Sequence, residues 1–130
     1  MFHFKMFLVL VALFFASVRA DAFIIAGAIR QNANMTWSVI SDSAHTSMNI
    51  DSVTVKDNFI VVKYSQTASK VITFIVADDE TFATKNYKAG ASVGLGSALI
   101  AVSKNGSLVN LKKEVMPKGS NFWIYGVMQD

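Results

Sequence analysis

The 130-residue chain has no cysteine, a single proline and only two histidines. Without thiols there can be no disulfide framework, no thiolate metal site and no cysteine nucleophile. Charge is also sparse, at 16% of residues, and the longest basic run is the pair Lys112-Lys113. A pair of that kind suits a solvated strand end and is not the clustered footprint of a nucleic-acid-binding face. No repeat, low-complexity stretch or linker interrupts the chain. What remains is apolar and aromatic: 52% of residues are hydrophobic and 12% aromatic.

The first 20 residues stand apart. Met1 to Lys5 carry one positive charge, Met6 to Val18 are apolar or small, and Arg19-Ala20-Asp21 follow. A charged start, a short apolar run and small residues at Val18 and Ala20 are what a signal peptidase reads, which predicts a leader helix cleaved after Ala20. The alternative is a retained anchor, but the apolar run is shorter than the roughly 20 residues a spanning helix needs. Cleavage removes Lys5 and Arg19 and no acid, so the formal charge falls from +3 to +1. The basic balance therefore belongs largely to the leader, and no nucleic-acid partner is expected. The expected location is secreted, periplasmic or cell-surface, with no membrane contact once the leader is gone. Export without cysteine points to a bacterial envelope or extracellular setting.

Residues 21–130 are expected to form one domain, long enough to bury a core without covalent staples. Alternating and β-branched runs dominate, and helix periodicity is nearly missing. Strands are predicted near 23–31, 36–41, 48–56, 59–65, 71–77, 92–104, 107–112 and 121–128, with one possible helical turn in 79–87. Asn105-Gly106 is a strong two-residue hairpin signal. It sets Lys104 opposite Ser107, Val102 opposite Val109 and Ile100 opposite Leu111. A second turn at Asp57-Asn58 would set Lys56 against Phe59, Val55 against Ile60 and Val53 against Val62. Seven or eight short strands predict an all-β fold, a single antiparallel β-sandwich of jelly-roll or Greek-key-like type.

Candidate chemistry is thin. His45, the only histidine beyond the leader, sits in Ser41-Asp42-Ser43-Ala44-His45-Thr46-Ser47. With Asp42 or Asp78 it could serve a small hydrolase, but Ser, Asp and Thr in such loops ordinarily bond their own backbone. Asp78, Asp79 and Glu80 form the only acidic cluster and are weak metal candidates. Three successive carboxylates cannot all face one ion from a strand, and they equally suit the start of a short helix. Gly90–Ser97 is glycine-rich but lacks the Gly-Lys-Ser/Thr ending of a phosphate loop. No cofactor is expected. Asn34-Met35-Thr36 and Asn105-Gly106-Ser107 fit the short N-glycosylation pattern, which has meaning only in a eukaryotic secretory pathway.

The last strand is apolar on both faces, with Phe122, Ile124 and Met128 in one row and Trp123, Tyr125 and Val127 in the other. Such a strand is either packed on both sides or packed on one, leaving an aromatic patch for contact. The leading expectation is a non-enzymatic exported module acting by contact: a cell-surface, extracellular-assembly or phage-type adhesion and structural protein. Its partner would be another protein or a second copy of the chain, with Trp123, Tyr125 and Trp37 as candidate contact residues. The alternatives are a glycan-binding domain using the same aromatics and a hydrolase built on His45.

Overall fold

A computed structural model describes residues 21–42 and 45–130; the expected leader, residues 1–20, lies outside the described residues, as do Ser43 and Ala44. Among the described residues, period-two patterning gives nine strands and one short helix. In chain order these are β1 (Ala22–Gln31), β2 (Trp37–Val39), β3 (Ile50–Lys56), β4 (Phe59–Tyr64), β5 (Lys70–Asp78), α1 (Glu80–Thr84), β6 (Tyr87–Val93), β7 (Ser97–Lys104), β8 (Ser107–Leu108) and β9 (Phe122–Gln129). All pairs are antiparallel, in two sheets. Sheet I runs β2-β1-β9-β5; sheet II runs β3-β4-β7-β6, with β8 also paired to β7.

Alternation turns one row of each strand toward a common core. Ile25, Ile29, Phe122, Ile124 and Met128 of sheet I join Ile60, Val62, Ile100 and Val102 of sheet II in one buried apolar cluster. Each such side chain contributes roughly 1.5–3 kcal/mol on burial, which is how a chain without disulfides holds together. At one side the chain passes between sheets directly. Met48 exchanges hydrogen bonds with Ala26 of β1 (2.8 and 3.1 Å), and two residues later β3 begins in sheet II. At the other side α1 links β5 to β6. Asp79 caps this helix, accepting from Phe82 N at 2.7 Å, while its second oxygen accepts from Asn121 N at 2.9 Å.

Both expected turns form. Asn105 and Gly106 take positive φ (51° and 82°), as the two-residue turn requires, and Lys104 pairs with Ser107. Asp57 takes φ 56°, and Lys56, Val55 and Val53 pair with Phe59, Ile60 and Val62.

Three expectations are corrected. The predicted strand 92–104 takes in only the last two residues of β6, which begins at Tyr87, and all of β7, because Gly94-Leu95-Gly96 turns the chain and Gly94 N donates to Ser97 O at 2.9 Å. The strand predicted at 107–112 stops at Leu108. The side chain of Asn58 donates to Val109 O (2.7 Å) and accepts from Leu111 N (2.9 Å), replacing ladder bonds and letting Val109 and Leu111 reach the core without a strand. Finally, Ile100 pairs with Ile60, so β4 holds the place expected of Leu111. Val109 N still donates to Val102 O at 2.9 Å.

Two packing details yield predictions. Gly126 lies on the core face of β9, where an added Cβ would come within 2.8 Å of the Phe74 ring. Gly126→Ala is expected to cost about 1–3 kcal/mol through overpacking, seen as a lower denaturant midpoint with unchanged slope; an unchanged midpoint would mean that Phe74 does not lie over Gly126. Tyr64 is buried and, among the described residues, its hydroxyl has no hydrogen-bond partner; burial pushes its phenol up to about 12 from 10. Because the neutral form is favoured in the fold, this stability is fully present below pH 10 and is lost as pH rises from 10 toward 12. Alkaline denaturation should therefore be milder in Tyr64→Phe, which leaves no unpaired hydroxyl behind. Equal alkaline sensitivity in the two proteins would contradict this.

Candidate outer-face contact site

β9 is one of the two inner strands of sheet I, paired to β1 on one side and β5 on the other. The registers place nine residues on its outward face in three cross-strand rows. Ala28, Trp123 and Ala77 form the first, Ala26, Tyr125 and Ile75 the second, and Ile24, Val127 and Thr73 the third. Eight of these nine are apolar or aromatic, and none is charged. The opposite row, Phe122, Ile124 and Met128, is buried. So β9 is packed on one face, and the other carries Trp123 (39% exposed), Tyr125 (44%) and Ile75 (54%) in the open.

One end of this face has a polar border. Ile40 N donates to Ala28 O at 2.8 Å, which draws the following segment along β1, and Ala28 is buried. His45, further along that segment, stacks on Trp123 with ring centroids 5.3 Å apart and planes 25° from parallel. Its Nδ1 lies 2.8 Å from Asp42 Oδ1, which also accepts from His45 N at 2.8 Å. The aspartate thus holds both the backbone and the ring of His45, keeping the imidazole flat on the indole. Among the described residues, no serine or threonine hydroxyl is hydrogen-bonded to His45.

The other candidates fall elsewhere. Trp37 is 3% exposed, on the inward side of β2, and packs against Phe122 with centroids 6.0 Å apart. Its ring is core and is not offered to a partner. Asp78 accepts from Ala89 N at 3.0 Å, tying the end of β5 to β6. Asp79 is spent on capping, and Glu80 is exposed in the first turn of α1, where a carboxylate favours the helix dipole. Among the described residues no three His, Cys, Asp or Glu side chains gather as a metal site would require.

Sheet II has a weaker outward feature. Phe59 and Leu99 wall a shallow hollow floored by Gly90 and Ala101, with Lys88 and Ser92 at its rim. The partnership of Ile75 and Ala77 with the aromatic row was missed in the sequence. Alternation in 71–77 showed a strand, but nothing in it said that this strand lies beside β9.

Compared with known proteins, the chain matches no family model, no curated protein and no solved structure.

The two tryptophans should be separable in solution. Acrylamide should quench one emitting class readily and leave a second protected. Trp123→Phe should remove the accessible class and Trp37→Phe the protected one. A single protected class in the unaltered protein would mean that Trp123 is covered.

Proposed function

We propose that this chain is an exported, non-enzymatic β-sandwich of jelly-roll or Greek-key-like connectivity that acts by contact. In this reading it is a cell-surface, extracellular-assembly or phage-type adhesion and structural module, and the outer face of sheet I is the contact surface. The observation that carries the reading is the uncharged face centred on Tyr125, with Trp123 and Ile75 exposed beside it. Soluble domains seldom leave contiguous apolar surface of this kind without use. Tyr and Trp on a rigid strand also supply large contact area at little cost in side-chain entropy.

A protein surface fits this face better than a sugar does. Aromatics stack on sugar rings, but specificity needs polar groups placed to meet the hydroxyls. The cross-strand neighbours of Trp123 are Ala28 and Ala77, and those of Tyr125 are Ala26 and Ile75. None of these four side chains can donate or accept a hydrogen bond. An apolar partner surface meets such a platform without leaving buried polar groups unsatisfied.

The test compares adjacent residues on the two faces of one strand. Tyr125→Ser should abolish association while shifting thermal stability little, because its ring is already half in water. Ile124→Ala should cost about 2–5 kcal/mol of stability through a core cavity. If Tyr125→Ser lowers stability as much as Ile124→Ala and association survives, the outer row is structural and the contact reading fails.

A further inference from the structure

Four strands border the two sheets, and three of them have edges that discourage pairing. β2 is only three residues long. β3 carries Asp51 and Lys56 and has a register shift between Ile50 and Ser52. β6 carries Lys88 and has Gly90 at its middle. Short strands, charges and bulges are how proteins blunt exposed edges. β5 differs. Its register shifts between Val71 and Thr73, but from Thr73 to Ala77 it runs Thr-Phe-Ile-Val-Ala with no charge, glycine, proline or irregularity. Among the described residues β5 pairs only with β9; β6 passes close to its other edge, where Ala89 N donates to the Asp78 side chain, but no ladder forms there.

The charges at the two ends of β5 decide what fits this edge. Lys70 begins the strand, and Asp78, Asp79 and Glu80 end it and open α1. A strand cationic at its start and acidic at its end is complementary to itself when two copies run antiparallel, and repels itself when they run parallel. The part of the uncharged stretch that is free of irregularity, Thr73 to Ala77, is centred on Ile75, so a two-fold axis there sets Ile75 opposite Ile75 and Thr73 opposite Ala77. The same axis brings Lys70 of each copy to the Asp79–Glu80 corner of the other. Asp79 is occupied by its cap, which leaves the exposed Glu80 to meet the ammonium.

We propose that two copies of this chain pair antiparallel through β5 about Ile75, joining two sheets I into one continuous sheet. The inference rests on the contact reading above in that the paired sheets present the outer face twice; the pairing itself uses the β5 edge, and its partner is a second copy of the chain. Backbone hydrogen bonds along five residues would supply the pairing, and the charge match at both ends would fix its register and direction. The pairing also sets the outer faces side by side, extending the apolar surface around Tyr125 across both copies.

The absence of cysteine gives a direct test, because one introduced thiol has only its own copy to meet. Directly opposed residues of antiparallel strands have Cα atoms about 4.5–5.5 Å apart, within disulfide range. Mild oxidation of the Ile75→Cys protein should therefore give a covalent dimer at least tenfold faster than a Leu108→Cys control, which is exposed on sheet II. In sedimentation, Lys70→Glu and Glu80→Lys should each weaken the dimer about fivefold, and the double reversal should restore it. Equal crosslinking at the two positions, or single reversals without effect, would overturn edge pairing. If association is then lost in Tyr125→Ser while the charge variants behave normally, the outer face stands and only the edge geometry falls. A protein that stays monomeric throughout the concentration range removes the edge proposal outright.

Discussion

β9 has a strand on each side and consists almost wholly of apolar residues, so both of its faces have to be accounted for. Period-two geometry sends Phe122, Ile124 and Met128 inward, where they join the core residues of β4 and β7. The same geometry sends Trp123, Tyr125 and Val127 outward. A one-residue slip would exchange the rows and expose the core set, so the buried row fixes the register and the register fixes the outer row. Much else follows from this placement. Gly126 leaves room for Phe74, and Asp79 anchors the start of β9 to the cap of α1 through Asn121 N. His45 is set where its ring meets Trp123.

The energetics of the two rows differ in kind. Inward residues contribute through burial within a dense interior, where lost volume is costly. The most open outward residues, Trp123, Tyr125 and Ile75, keep about two fifths to one half of their surface in water, so part of their apolar area is left for association. Contact on the outer face of sheet I therefore adds to folding stability without competing with it. The border at Trp123 has a consequence too. The His45 ring, held by Asp42, lies on the indole at one end, which leaves Tyr125 and Ile75 as the open centre of the face.

Much of the fold was legible because local chemistry and pairing agree. Asn105-Gly106 specifies a turn by its φ requirement, and Asp57-Asn58 is flanked by residues whose apolar row matches across the hairpin. Where reading failed, a side chain or a topology acted at long range. Asn58 bonds residues more than fifty positions away and ends β8 early, which no window around Ser107 can reveal. The turn at Gly94–Gly96 was hidden because apolar residues continue on both sides of it. For the site, β9 announced two apolar rows, but which one was solvated depended on what packs against it. Trp37 was indistinguishable from Trp123 in sequence, and only the inward side of β2 makes it core.

The central claim is that the outer row of β9 and its neighbours on β5 form a face that is open in the single molecule and still presented when two copies pair through the β5 edge. Solvent paramagnetic relaxation of the Tyr125 ring protons and Ile75 methyls, followed from dilute to concentrated protein, tests this directly. The account predicts strong relaxation of both groups when dilute; as copies pair, the Ile75 methyls at the seam become shielded while the Tyr125 ring, and Thr54 on the outer face of sheet II, stay unchanged. Weak relaxation at Tyr125 in dilute protein, or Ile75 methyls whose relaxation does not change with concentration, would contradict it.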